Sequence, residues 1–170
     1  MADVSLAARV LPTTLLLLAC SQPVTPGPNT APPPTAGTSA SGGCRAGDPL
    51  AGVYHPQRLQ VLAACAQVTG TIGSEKPETD GDLHVRVRLD PGQERYLNSF
   101  NDRDQQGDLV VELICVGQVT QADAVSACAA NSLHVASPPT GTHVRVTGPW
   151  VTDLHHGWNE IHPVNDIEPI

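Results

Sequence analysis

The side chains with the clearest chemical potential in this 170-residue chain are its histidines and the carboxylates that stand near them. Asp80, Asp82 and His84 fall together, and His155, His156, Trp158, Glu160 and His162 crowd the C-terminal end. Imidazole nitrogens and carboxylate oxygens are the ordinary ligands of zinc. A site of three such ligands leaves a fourth position for a water whose pKa drops toward neutrality. His84, Glu160 and His162 therefore form a candidate metal triad, with His156 as a further candidate ligand, and the chemistry it would perform is zinc-dependent hydrolysis. Convergence of two separate strands is required, because the ligands are scattered and no compact His-Glu-x-x-His signature occurs. The same residues have a structural reading. A histidine can tie a strand end to a carbonyl or an aspartate, and Glu160 can accept backbone N–H bonds from the turn at Asp153 to Gly157. Trp150 and Trp158 can fill a core with few other aromatics.

The elements that must position these groups read as short strands. Leu83-His84-Val85-Arg86-Val87-Arg88-Leu89 alternates apolar and polar residues with period two, which predicts a strand with one buried and one wet face. The Asp80-Gly81-Asp82 turn precedes it and Asp90-Pro91-Gly92 ends it. Val68 to Ile72 predicts a first strand and Asp108 to Cys115 a third, with Val111, Leu113 and Cys115 inward and Glu112 outward. Thr142 to Val151 predicts a fourth and Trp158 to Val164 a fifth, on which Trp158, Glu160 and His162 share a face. Gln93 to Phe100 reads as a short helix or a loop packed by Tyr96, Leu97 and Phe100. Val116 to Thr140 reads as a long connection.

Five strands, Gly70 after the Val68-Thr69 pair and the Gly141-x-x-Val144-x-Val146-x-Gly148 pattern resemble an OB fold, a small all-β barrel of five strands that closes on itself. The chain is similar to the OB-like domains of secreted bacterial proteins and lipoproteins. Tyr54 to Leu59, the Asp-Gly-Asp-x-His turn at Asp80 to His84, and His156-Gly-Trp-x-Glu-Ile-His-Pro-Val164 carry the likeness. It implies a fold and no activity. OB barrels bind strands or sugars on the face of their second and third strands. Here that face presents His84, Arg86, Arg88 and Glu112 with no aromatic among them, a surface suited to an envelope protein or an anionic glycan.

The N-terminal segment, residues 1–19, is expected to be a lipoprotein signal peptide. Its apolar run from Val10 to Ala19 is about half the length needed to span a bilayer. Leu17-Leu18-Ala19-Cys20 resembles a lipobox, which implies that Cys20 is lipidated and holds the protein on a membrane, each buried methylene contributing about 0.8 kcal/mol. Residues 20–43 are rich in Pro, Ser, Thr, Gly and Ala and are expected to form a disordered linker reaching roughly 70 Å at full stretch. Residues 44–170 are one domain's length. Its four cysteines imply two disulfides in an exported compartment, with three pairings open and the local pairs Cys44–Cys65 and Cys115–Cys128 favoured. A formal net charge of −8, with Lys76 the only lysine, argues against a nucleic-acid partner. Gly-x-Ser-x-Gly and phosphate-cradling loops are absent, and cysteine catalysis is not expected from oxidised cysteines. The reading is a disulfide-braced, lipid-anchored envelope module that binds or supports, with no catalytic residue assigned; the alternative is the zinc hydrolase of His84, Glu160 and His162.

Overall fold

The computed structural model describes residues 43–170. The expected signal peptide, Cys20 and the expected linker up to residue 42 lie outside the described residues. Six strands form one sheet: β1 (Leu59–Pro77), β2 (Leu83–Leu89), β3 (Leu109–Leu113), β4 (His143–Asp153), β5 (Asn159–Ile161) and β6 (Asp166–Pro169). Two short helices join them, α1 (Ser99–Asp104) and α2 (Val125–Ala130).

β1 pairs antiparallel with β2 through its second half and with β4 along most of its length. β2 pairs with β3, β3 runs parallel to β5, and β5 pairs with β4, so the pairings close a ring β1–β2–β3–β5–β4–β1. β6 adds to the far edge of β4. Gly70 marks the crossing, since it pairs with Leu89 of β2 and Val144 of β4 at once. A Cβ placed there would lie 2.3 Å from the Arg88 carbonyl oxygen, so only glycine allows this approach.

β2 occupies the span its alternation predicts, and its odd residues Val85 and Val87 are fully buried. They meet Leu109, Val111, Leu113, Val144, Val146 and Ile161 with Val68 and Ile72 in one apolar cluster. Burial of each such side chain contributes roughly 1.5–3 kcal/mol. β3, which lies between β2 and β5, is buried on both faces, Glu112 included. Cys115 is not an inward strand residue. β3 ends at Leu113, and Cys115 has φ 58° beyond the strand end.

Several boundaries differ from expectation. β1 begins at Leu59, nine residues before Val68, since pairing with β4 recruits a Leu- and Ala-rich stretch with no clear alternation. β5 stops at Ile161, two residues before Pro163, which has no N–H to give a ladder. β6 is too short to leave a periodic signal, and α2 interrupts the long connection. Between β2 and β3 a 3₁₀ turn at Glu94–Tyr96 leads into α1, which Asn98 caps by accepting from the Phe100 and Asn101 N–H groups. Tyr96 is buried, whereas Phe100 stays exposed beneath the Arg103 guanidinium.

The two disulfides are Cys44–Cys65, tying the domain's start to β1, and Cys115–Cys128, tying the end of β3 to α2. No helix among the described residues is long and apolar enough to cross a membrane.

Candidate functional site

The even-numbered residues of β2 face away from the apolar cluster, and strand register decides what they meet. His84 stands opposite Lys76 on β1 and Glu112 on β3, while Arg86 stands opposite Ser74 and Val110. Val110 pairs in turn with Glu160, in the parallel contact that brings β5 alongside β3. A polar face thus runs across four strands. Over it opens a cleft of about 560 Å³, whose lining includes Arg58, Ser74, Lys76, His84, Arg86 and Trp158.

His84 is clamped from both sides. Its Nδ1 lies 2.9 Å from Glu112 Oε1 and its Nε2 lies 3.3 Å from Gln105 Oε1. Burial pulls the His84 pKa down, but the Glu112 hydrogen bond and charge outweigh this and leave it raised. Burial likewise pushes the Glu112 carboxyl up, against the opposing pull of the His84 hydrogen bond. Its second oxygen, Oε2, is buried with no hydrogen-bond partner.

Deeper in the face, Glu160 accepts from the Trp158 indole N–H at 2.9 Å through Oε2, and its Oε1 lies 2.9 Å from His162 Nδ1. Glu160 and His162 are almost wholly buried. Burial alone would lower the His162 pKa. The Glu160 hydrogen bond, with the charges of Glu160, Glu112 and Asp82, instead holds it at about 9, so His162 is a buried imidazolium at neutral pH. Asp82, whose carboxylate accepts the Cys115 N–H at 2.7 Å, is pushed by burial to about 7.

This geometry does not gather the four candidate metal ligands. Among the described residues, no set of three drawn from His84, His156, Glu160 and His162 places its ligand atoms within 4.8 Å of one another. Both His84 nitrogens contact Glu112 and Gln105, the Glu160 oxygens contact Trp158 and His162, and His162 Nε2 has no hydrogen-bond partner. The residues that do converge are Asp82, Cys115 and Cys128, and the two cysteines are bonded to each other, so neither offers a thiolate. His156 lies apart from the buried pair. Its Nδ1 is 3.0 Å from Asp153 Oδ2, and its ring stacks on Trp158 with centroids 4.3 Å apart and planes 8° from parallel.

Two structural roles also fall to other residues than expected. Asp153, not Glu160, accepts the turn N–H groups of His155 and His156, at 2.7 and 3.2 Å. Trp150 packs against the core and donates to the Tyr96 carbonyl, whereas Trp158 stands in the cleft, edge-on to His84. The polar face therefore does hold an aromatic group, delivered by the residue before β5. Arg58, Ser74 and Gln105 are the members that sequence reasoning left without a part in a site, whereas Arg86 and Glu112 already stood on the expected binding face. Glu112 carried a signal, a single carboxylate inside Leu109-Val110-Val111-Glu112-Leu113.

No family model matches this chain, and no curated protein matches it.

Proposed function

We propose that this protein is an exported, lipid-anchored cell-envelope protein whose folded part is an OB-like barrel acting as a binding module. The observation that carries the reading is the polar cleft on the outer face of β1, β2 and β3, flanked by Trp158. A closed order of strands with a parallel β3–β5 contact supports the OB-like description. Two disulfides support an oxidising compartment, and the lipobox at Leu17 to Cys20 supports the anchor. The separation of the candidate ligands favours a binding site over the hydrolase alternative, since among the described residues no three of His84, His156, Glu160 and His162 bring their ligand atoms within 4.8 Å of one another.

Two measurements test the reading. Mass spectrometry of the mature N-terminus should find acyl chains on Cys20, and Cys20→Ala should release the protein from the membrane fraction; an unacylated, freely released wild-type protein would contradict the anchor. Isolated envelope polymer, stripped of lipid, should co-sediment the protein. Ser74→Tyr, which fills the cleft from β1, should abolish that retention with the melting temperature preserved. Retention unaffected by the plug would remove the cleft from the function.

A further inference from the structure

Each basic group lining the cleft contacts a carboxylate, Arg58 and His156 sharing Asp153, with one exception. Arg58 Nη2 lies 3.4 Å from Asp153 Oδ2, Lys76 Nζ 2.8 Å from Glu78 Oε1, and His84 Nδ1 2.9 Å from Glu112 Oε1. Arg86 has no carboxylate within 4.0 Å among the described residues. Its Nε donates to Ser74 Oγ at 2.8 Å and its Nη1 reaches the Gln105 carbonyl at 3.5 Å. These two contacts, one from β1 and one from the end of α1, fix the guanidinium plane. They leave Nη2 without a hydrogen-bond partner among the described residues. A fixed guanidinium with an unused donor edge is the usual anchor for a carboxylate or another planar anion.

We propose that the cleft binds an acidic sugar unit, with Arg86 anchoring its carboxylate and the surrounding polar side chains holding its hydroxyls. The proposal rests on the reading of the fold as a binding module and names the ligand of that same site. One cation without a carboxylate partner matches one anionic group, and the chain's net charge of −8 disfavours a polyanion. The volume, about 560 Å³, is far larger than a lone carboxylate needs. What fills the rest must be hydrogen-bonding, because Trp158 is the only predominantly apolar side chain of the lining. A peptide bearing apolar side chains would find no pocket for them. A sugar ring instead meets Gln105, Glu78 and Lys76 with its hydroxyls and the Trp158–His156 stack with its carbon face.

The test is calorimetric titration of the full-length protein in detergent with four probes: a glucuronate-terminated disaccharide, its methyl ester, acetate, and a short peptide with a free C-terminal carboxylate. Arg86→Gln, Arg86→Lys and Arg88→Gln are compared with the wild type, and each is first checked by its melting curve. The acidic disaccharide should bind about tenfold or more tightly than its ester. Arg86→Gln should erase that preference, and Arg86→Lys should restore only part of it, because lysine keeps the charge and loses the fork. Arg88→Gln should change nothing, since Arg88, expected on the binding face, lies outside the cleft lining and pairs with Asp108 at 3.2 Å. If Arg86→Gln does not fold, the Arg86→Lys loss alone decides. Equal binding of acid and ester, indifferent to Arg86, would overturn the acidic-sugar proposal and leave the binding module standing. Binding of the peptide or of acetate as tightly as the disaccharide would overturn the sugar assignment. Failure of every probe overturns the proposal, and retention on envelope polymer by the unplugged protein then tells whether the module reading fails with it.

Discussion

His162 carries a charge in a place where charges are rare. Its side chain is only 5% exposed, and its Nε2 has no hydrogen-bond partner. Glu160, Glu112 and Asp82 hold the proton there, up to about 9. Because the folded pKa lies above the unfolded value near 6.5, the stabilisation is complete below about pH 6.5 and is lost as pH rises through about 9. The displacement is worth on the order of 3 kcal/mol. We expect calorimetric melting temperatures of the wild type to fall between about pH 7 and pH 10, and His162→Gln to flatten that fall. An unchanged slope in the variant would mean that His162 is neutral when buried. Asp82 acts in the same sense over a lower window. Burial raises its pKa to about 7, so its protonated form contributes stability below about pH 4 that disappears as pH climbs through 7. Asp82→Asn, a mimic of the protonated form, should therefore raise the melting point above about pH 7, less the lost attraction to His162.

At the scale of elements, the polar face depends on two joints. Asn101 of α1 is fully buried and uses all four of its hydrogen-bonding capacities. Its amide donates to the carbonyls of Asp108 and Asn159 at 3.2 and 2.9 Å, and its oxygen accepts the N–H groups of Asn98 and Asn159 at 3.0 Å. One side chain thus fixes α1 across β3 and β5, and with it Gln105 against His84. Asn101→Ala should cost about 3 kcal/mol or more in denaturant unfolding, since buried backbone groups lose their partners. The second joint is Gly70. Gly70→Ala should destabilise by about 1–3 kcal/mol or more, because the obstacle is the Arg88 backbone and not a movable side chain. A neutral result at either position would mean that the strands separate more easily than their register implies. The legibility of these elements followed their local pattern. β2 alternates within seven residues and was readable to its ends, as was most of β4. The first half of β1 was not, because its exposed face carries Gln60, Leu62 and Ala64 without a polar rhythm and its strand form comes from pairing with β4. Similarly, Glu160 and His162 could be placed on one strand face from spacing alone. Their distance from His84, and the contact of His84 with Glu112, depended on strand registers across long sequence separations that no local pattern encodes.

Across the whole molecule, a ring of strands with one apolar cluster is braced at two points by short covalent loops. The Cys44–Cys65 and Cys115–Cys128 bonds span 21 and 13 residues, and a loop-entropy view gives about 3 kcal/mol for each. Replacing Cys115 and Cys128 together by serine should lower stability by roughly 2–4 kcal/mol in denaturant unfolding, with no loss in the melting of a reduced control. The polar face over β1, β2 and β3 holds most of its groups hydrogen-bonded in advance of any ligand, as suits recognition with little reorganisation. The measurement that bears most directly on this assignment is an amide chemical-shift map of the protein titrated with solubilised envelope saccharides. Shifts should gather on Ser74, His84, Arg86, Gln105 and Trp158, around the cleft. Shifts gathered instead along the second groove, at Leu83, Val116 and Leu133 to Ser137, or absent throughout, would contradict it.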